Sequence, residues 1–384
     1  MKYLLNRTTF TPFFNLLPVV ISLVVSLHCS AQETKLPKSN SISNPLAKSV
    51  FIVPTDNRIQ IEGSNYIKSE GDALVLHRHA DAVYKGTNLS NLFHPIPART
   101  CAGIVLKFKT KSPTAKVKFR IIKGKNIDPV FAVFQDGVFV ENKSFKYVPD
   151  QEIVLDLKSL KAGRDIEYKI TFPLKTDVHF LGIELKNGFD IVSYPKDKKP
   201  TYVAFGDSIT HGSGQLTTPE TYPYIVADKF GFELYNIAVG GAKTSQVMAD
   251  LIKNDFKEID VITILIGFND YNAEGVTVET YKNRYEGVLN AIRTAHPKTK
   301  IFCITMTATK NNNAKKTGIA ADDFRAVVKN NVANRRASGD ANIFLIEGDK
   351  ITTEANLKDA VHFSVEGARD FAVELYTKMS AILN

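Results

Sequence analysis

The carboxyl-terminal half of this 384-residue chain alternates short apolar stretches with helical patterns, five times in succession. The apolar stretches lie at about 201–206, 232–238, 260–267, 299–306 and 341–346, and the helical patterns near 219–230, 243–254, 278–296, 320–337 and 365–382. The stretches show no alternation of polar and apolar residues, which indicates strands buried on both faces. Five such units predict a doubly wound α/β fold with a five-stranded parallel sheet, whose ligand crevice lies at the carboxyl ends of the strands.

In the region before this half, 51–194, polar and apolar residues alternate with a period of two instead. Val117-Lys118-Phe119-Arg120-Ile121 is typical of a strand with one buried and one wet face, and Asp136-Gly137 predicts a tight hairpin. Short strands with frequent turn signals and no helical pattern predict a β-sandwich of the jelly-roll type. The polar, proline-bracketed segment 195–200 predicts a boundary between this domain and an α/β domain over 200–384.

The first 31 residues differ in composition from the rest of the chain. Lys2 and Arg7 precede an uncharged apolar stretch, 13–27, and small residues follow it at 29–31. A charged start, an apolar stretch and a small-residue cleavage site are typical of a secretory signal peptide. We therefore expect a secreted or periplasmic protein whose mature chain has no membrane span, with lipoprotein anchoring through Cys29 as the alternative. Residues 32–50, rich in Ser, Asn, Lys and Pro, are interpreted as a flexible lead-in.

Charge and cysteine content narrow the classes of partner. The net charge of +9, or +7 without Lys2 and Arg7, is spread along the chain, and no basic aromatic motif accompanies it, so we exclude nucleic-acid binding. After the signal only Cys101 and Cys303 remain, too few for a structural zinc site. His77-x-His79 resembles a metal-binding pair, but no Cys or acidic ligand stands at suitable spacing. We interpret it as a surface pair and expect no metal or organic cofactor; the sequence leaves the oligomeric state open.

Polar clusters follow several strands of the predicted parallel sheet. They are Asp207-Ser208 after the first strand, Asn236 to Gly241 after the second, Gly267 to Asp270 after the third, and Asp359 to His362 just before the last helix. Because the carboxyl ends of parallel strands meet at one edge of the sheet, we expect these four segments to converge there.

Together the clusters contain the groups that acyl transfer requires. Ser208 is predicted to attack a carbonyl carbon, with its proton passing to the imidazole of His362. Asp359 stands three residues before that histidine, where it can hold the tautomer and offset the imidazolium charge. The backbone N–H groups of Ser208 and Gly241 and the side-chain amide of Asn269 are predicted to form the oxyanion hole.

Each cluster also has an ordinary structural interpretation. Ser208 or the Asp359/His362 pair could cap a helix, and Gly240-Gly241 and Asn269-Asp270 could be plain turns. Their coincidence at one edge favours the catalytic interpretation. Four further residues are candidates to line the substrate groove: His211, Phe268, Asp270 and Tyr222. For His211 a capping or packing role is the favoured alternative, and Tyr222 could equally pack against the β domain.

The four segments resemble the four blocks of the SGNH (GDSL-type) hydrolase superfamily. Gly-Asp-Ser surrounds Ser208, Asn-x-x-x-x-Gly ends at Gly241, Gly-x-Asn-Asp surrounds Asn269, and Asp-x-x-His ends at His362. The resemblance covers about 200–384 and implies a flavodoxin-like (SGNH) sheet with Ser208, Asp359 and His362 as the triad. Ala238 and Phe268 depart from the usual Gly and Thr of these blocks, and Phe268 is expected to narrow the acyl pocket.

A β domain before such a hydrolase domain is similar to the layout of exported bacterial carbohydrate esterases. The resemblance therefore implies a secreted serine esterase that removes short acyl groups, in particular acetyl groups, from an acylated poly- or oligosaccharide. Two alternatives stay open at this point: a lipolytic or thioester hydrolase with the same triad, and a carbohydrate-binding protein with a silent hydrolase fold.

Overall fold

The computed structural model describes residues 49–80, 84, 94–161 and 163–383. The predicted signal peptide, Cys29 and most of the predicted lead-in lie outside these residues and remain predictions. In the described part of the chain, no helix combines the length and the apolar composition needed to cross a membrane.

Residues 50–185 form two antiparallel sheets that share an apolar core. Their strands are β1 (Val50–Ile52), β2 (Gln60–Glu62), β3 (Tyr66–Glu70), β4 (Ala73–His77), β5 (Val105–Thr110), β6 (Thr114–Ile121), β7 (Val130–Gln135), β8 (Val138–Ser144), β9 (Glu152–Lys158), β10 (Ile166–Thr171) and β11 (Val178–Leu185). The first sheet has the order β3-β4-β11-β6-β9, with β1 also paired to β11. The second has the order β2-β5-β10-β7-β8, and a short helix α1 (Pro95–Arg99) precedes β5.

The period-two pattern accounts for this sandwich. The ring of Phe119 on β6 lies 4.7 Å from that of Phe131 on β7 and 5.6 Å from that of Phe180 on β11, so inward aromatic side chains from both sheets meet. Asp136 and Gly137 both have positive φ, 48° and 79°, as a tight hairpin between β7 and β8 requires. The antiparallel sheets agree with the predicted jelly-roll architecture.

The carboxyl-terminal half forms the predicted five-stranded parallel sheet. Its strands are β12 (Thr201–Gly206), β13 (Glu233–Asn236), β14 (Val261–Leu265), β15 (Lys300–Ile304) and β16 (Ile343–Ile346), in the order β13-β12-β14-β15-β16. Its helices are α2 (Ser208–His211), α3 (Tyr222–Phe230), α4 (Gln246–Asp255), α5 (Val278–Ala295), α6 (Ala321–Ala337) and α7 (Val365–Leu383). The fold class predicted from the sequence is therefore confirmed.

Local sequence explains where these helices begin and end. The Ser245 side chain accepts a hydrogen bond from Met248 N at the start of α4, and Thr277 accepts one from Thr280 N at the start of α5. Gly231 ends α3 in the left-handed conformation that glycine adopts without strain.

The sandwich and the parallel sheet pack against each other within one compact unit, 47–384. Gly63 lies at the contact between the two parts, with φ at +76°. A Cβ there would stand 2.4 Å from the carbonyl oxygen of Gly103 and 2.8 Å from that of Leu234, so a side chain would force the parts apart. The domain boundary predicted near 195–200 remains a proposal about the chain's organisation.

Arg78 is the central polar residue of this contact and is only 1% exposed. Its Nη1 donates to the carbonyl oxygens of Asn236, the last residue of β13, and of Ala238 in the loop that follows, both at 2.7 Å. Its Nε donates to Thr100 O at 2.7 Å and its Nη2 to Pro97 O at 2.8 Å, in the sandwich part. Burial lowers the pKa of Arg78 to about 10, which still leaves the guanidinium charged at neutral pH.

We expect Arg78→Met to destabilise the protein by about 3–5 kcal/mol, since it leaves several buried carbonyl groups without a donor. Arg78→Lys should recover only part of this loss because an ammonium lacks the planar fork of donors. Denaturant unfolding monitored by circular dichroism measures the change. Arg120→Met, which removes an arginine from the sandwich surface, is the control and should have little effect; an Arg78→Met protein as stable as wild type would contradict this role.

Candidate active site

Ser208 stands directly after β12 at the start of the short helix α2. The carboxylate of Asp207, not Ser208, caps this helix, because Asp207 Oδ1 accepts a hydrogen bond from Ile209 N at 3.0 Å. Asp207 is fully buried, and burial raises its pKa to about 7. The Ser208 hydroxyl therefore does not cap α2 and is free to bond to His362.

Ser208, His362 and Asp359 lie in one hydrogen-bonded chain. Ser208 Oγ is 2.8 Å from His362 Nε2, and His362 Nδ1 is 2.8 Å from Asp359 Oδ2. An ionised Asp359 can only accept, so Nδ1 carries the ring proton and Nε2 is left to accept from the serine. The arrangement can transfer a proton from the hydroxyl to the imidazole.

Asp359 is held as a carboxylate by its own loop. Burial by itself would raise its pKa, but backbone N–H groups of His362 and Val361 and the imidazole of His362 outweigh burial and lower the pKa to about 2. The backbone N–H of His362 donates to Asp359 Oδ1 at 2.8 Å and that of Val361 at 2.9 Å. The loop thus fixes the orientation of the carboxylate towards the ring.

Asp359 and His362 do not cap the last helix, which was the alternative interpretation of this pair. Helix α7 begins at Val365, and the side chain near its start that accepts a backbone hydrogen bond is Ser364, from Gly367 N at 2.9 Å. Asp359 and His362 lie before this start and are bonded to each other.

The loop after β13 brings Gly240 and Gly241 next to Ser208. A Cβ on Gly240 would lie 3.9 Å from the Cβ of Ser208, so the backbone of this loop borders the hydroxyl. Gly241 has φ of +84°, and a Cβ there would stand 2.8 Å from Cδ2 of His94. The backbone conformation at 241 therefore favours glycine, and any side chain there would displace the exposed His94 ring.

His211 holds this loop through a hydrogen bond to its backbone. The N–H of Gly240 donates to His211 Nδ1 at 3.1 Å, so the ring proton is on Nε2. His211 Nε2 lies 2.9 Å from Thr100 Oγ1 and 3.3 Å from Leu174 O, both in the sandwich part. Burial, with the nearby charge of Arg78, lowers the pKa of His211 well below its usual value and keeps the ring neutral.

Asn269 follows β14 and is bonded to the same glycine loop. Its Nδ2 donates to Ala242 O at 2.9 Å. An amide nitrogen carries two hydrogens, so this bond fixes the side chain while the second hydrogen stays available to a ligand. The four sequence segments therefore do converge at the carboxyl edge of the sheet.

Two residues predicted to line the groove are elsewhere, and that part of the prediction was wrong. Tyr222 is 1% exposed, packs edge-on against Phe371, and pairs its hydroxyl with Thr210 Oγ1 at 2.8 Å. Asp270 is fully buried and accepts hydrogen bonds from Thr244 and Arg284. Both side chains form part of the interior because their polar atoms find protein partners there.

Ser208, His362 and the glycine loop line a cleft of about 390 Å³ to which both parts of the molecule contribute. His211 lies in its wall, whereas Phe268 is nearly buried against Tyr271 and is not among the lining residues. The sandwich part contributes lining residues that the sequence analysis did not identify: Pro97, Thr100, Lys125, Ile127 and Lys175. No motif marks them, because their position follows only from how the two parts pack.

One group of side chains in the described residues could hold a metal ion. It consists of His77, Asp177 and His179, whose donor atoms all lie within 4.8 Å of one another. The predicted surface pair His77-x-His79 was wrong, since His79 is fully buried. The histidine that lies near His77 is instead His179, on the neighbouring strand β11.

Residues 204–369 match the family model of GDSL-like lipases and acylhydrolases. No curated protein matches the sequence. The family match, with the fold described above, supports a serine ester hydrolase and confirms the resemblance drawn from the four sequence blocks.

Solved structures share the whole two-part architecture. A salicylyl-acyltransferase from a tetracycline biosynthetic pathway is similar with a TM-score of 0.76 at 20% identity, covering 87% of this chain and 97% of that one. A family two carbohydrate esterase from Clostridium thermocellum, in complex with cellohexaose, has a TM-score of 0.64 at 16% identity and coverages of 85% and 99%. An acetyl xylan esterase from Butyrivibrio proteoclasticus has a TM-score of 0.61 at 13% identity and coverages of 88% and 99%. At these identities the likeness concerns the fold.

We expect Asn269→Ala to lower kcat for p-nitrophenyl acetate by roughly 10²–10³-fold with less effect on KM, since an oxyanion donor acts mainly in the transition state. Steady-state kinetics measure both constants. Asn334→Ala, on the exposed face of α6, is the matched control. A change confined to KM would assign Asn269 to substrate binding instead.

Proposed function

We propose that this protein is a secreted serine esterase that hydrolyses short acyl esters, in particular acetyl esters, on carbohydrate. The observation that carries the proposal is the unbroken chain from the Ser208 hydroxyl through His362 to Asp359, with both contacts at 2.8 Å. It opens into a cleft bordered by the glycine loop and by the sandwich part.

The proposed reaction has two halves. Ser208 Oγ attacks the ester carbonyl carbon while its proton passes to Nε2 of His362, and Asp359 stabilises the imidazolium. The oxyanion accepts hydrogen bonds from the N–H groups of Ser208 and Gly241 and from the Asn269 amide. His362 then donates its proton to the leaving sugar hydroxyl, which yields an acyl-enzyme. Water, deprotonated by His362, attacks the acyl carbon and releases the carboxylic acid and free Ser208.

A carbohydrate ester fits the surroundings of the triad better than a lipid. The described segment 309–316, rich in Asn and Lys, borders the triad loop, with Lys310 N and Thr309 Oγ1 both donating to Ala360 O. It offers no apolar lid for a long acyl chain. Solved structures of similar fold include an esterase with bound cellohexaose and an acetyl xylan esterase, which supports a sugar substrate by analogy.

Export and domain organisation belong to the same proposal. A signal peptide over 1–31 would deliver the mature chain to polysaccharide outside the cytoplasm. We infer that the sandwich, 51–194, supplies part of the substrate cleft and that the hydrolase part, 200–384, supplies the chemistry.

We expect Ser208→Ala to abolish hydrolysis of p-nitrophenyl acetate and labelling by a fluorophosphonate probe, because both require the serine nucleophile. The variant should fold like wild type, as thermal unfolding can check. Ser338→Ala, an exposed serine after α6, is the matched control and should keep full activity and labelling. Unchanged turnover by Ser208→Ala would overturn the assignment of the nucleophile.

A substrate panel separates the proposed function from its alternatives. Acetate release from acetylated xylan and mannan, compared with turnover of longer-chain p-nitrophenyl esters and acyl thioesters, should favour the acetylated glycans. Faster turnover of long-chain esters or thioesters would indicate a lipolytic or thioester hydrolase. Glycan binding without any hydrolysis would indicate a carbohydrate-binding protein.

A further inference from the structure

Two lysines from separate segments line the cleft that holds the triad serine and histidine, and a third lysine lies within electrostatic range of one of them. Lys125, in the loop after β6, and Lys175, between β10 and β11, line the same cleft as Ser208 and His362. Lys358 is the residue directly before the triad carboxylate Asp359. Among the described residues that line the cleft, none is acidic.

The position of Lys175 is fixed by the hydrolase part. Its Nζ donates to Gln215 O at 2.8 Å, and the Gln215 side chain donates to Phe363 O at 3.0 Å, the residue after His362. Burial lowers the pKa of Lys175, and the positive charges of Lys358 and Lys125 lower it further. Lys175 thus experiences the positive charges of both other lysines, and Glu220 acts in the opposite direction.

We propose that the cleft selects O-acylated carbohydrates that carry anionic groups, such as the carboxylates of uronic acid residues, through Lys125 and Lys175. The inference rests on the proposed esterase function and names the class of its substrate. A cluster of like charges beside a catalytic site costs stability unless a ligand neutralises it, and anionic residues next to the acylated sugar would do so. A neutral glycan would leave the lysines without this partner.

The test compares O-acetylated galacturonan oligosaccharides with their methyl-esterified forms, which carry a neutral methyl ester in place of each carboxylate, with acetate release as the readout. Wild-type enzyme should have a KM roughly 3- to 10-fold lower for the carboxylate form at low salt, and sodium chloride should reduce this preference. Lys125→Gln/Lys175→Gln should raise KM for the carboxylate form to that of the methyl ester with little change in kcat. Lys378→Gln, an exposed lysine on α7 that is not among the cleft-lining residues, is the charge-matched control.

Turnover of p-nitrophenyl acetate in each variant separates the two proposals. If it is absent in wild type, the esterase function itself fails. If it is present but wild type does not distinguish the two galacturonan forms, or if the double variant keeps the preference, selection of anionic substrates by these lysines is wrong. An O-acetylated sulfated glycan in the same assay distinguishes the anion: a lower KM for it than for galacturonan would assign the lysines to sulfate esters.

A second, independent observation concerns the sandwich sheet that contains β4 and β11. Phe180 pairs with Leu74 across these antiparallel strands, a register that places Asp177 opposite His77, with His179 on the same face. The donor atoms of these three residues lie within 4.8 Å of one another. Asp177 is 7% exposed, and its Oδ1 has no hydrogen-bond partner in the described structure.

The geometry points to a site for a divalent transition ion, zinc in particular, held by His77, Asp177 and His179. Imidazole and carboxylate are ligands that zinc prefers, with bonds of about 2.0–2.2 Å, so small side-chain rotations would bring the three donors into its coordination shell. The ion would supply the partner that Asp177 Oδ1 lacks. Glu70 adds a negative charge near both histidines, while Arg120 lies near His179 and Arg99 and Arg78 act on Asp177.

Isothermal titration of untagged, chelator-treated protein with Zn²⁺ tests this site, with the visible spectrum of Co²⁺ reporting the ligand geometry. We expect about one ion per chain, a rise in thermal stability on binding, and loss of both in His179→Ala and His77→Ala. His362→Ala, which removes the triad imidazole, is the control and should bind normally. Absence of stoichiometric binding, or binding that survives both histidine variants, would overturn the site.

Discussion

The buried guanidinium of Arg78 connects the two halves of this molecule next to the loop that borders Ser208. It donates to carbonyl groups around α1 in the sandwich, to that of Asn236 at the end of β13, and to that of Ala238 in the loop that follows. A charge that is 1% exposed is tolerated only when its donors are satisfied, so the two parts must dock in one arrangement. That loop continues directly into Gly240 and Gly241, beside the serine.

His211 adds a second connection of the same kind. Its neutral ring accepts from the backbone of Gly240 and faces Thr100 and Leu174 of the sandwich. The sandwich is therefore connected to the glycine loop through two buried side chains, and it also contributes walls and lysines to the cleft. In the proposed esterase this connection gives the β part a positioning role in addition to contact with substrate.

Most of the hydrolase half could be predicted because its signals are local. The unalternated apolar strands, the helical patterns and the four polar blocks each lie within a few residues, and the rules of a parallel sheet bring their ends together. Tyr222 and Asp270 were assigned wrongly to the groove because sequence neighbours of a catalytic block can point inwards, where Thr210 and Arg284 bind them. His79 was assigned wrongly to the surface as the partner of His77, because β4 ends at His77 and the chain beyond it is buried.

The sequence by itself determined the α/β class, the antiparallel sandwich, and the residues from which a Ser208–His362–Asp359 chain can form, since periodicity and short motifs encode these. Only the tertiary structure decided which surface of the sandwich faces the serine, and hence that Pro97, Thr100, Lys125 and Lys175 surround it. It also decided that His77 has His179 rather than His79 as its neighbour. Contacts between segments distant along the chain depend on docking and strand register, which leave no pattern in the local sequence.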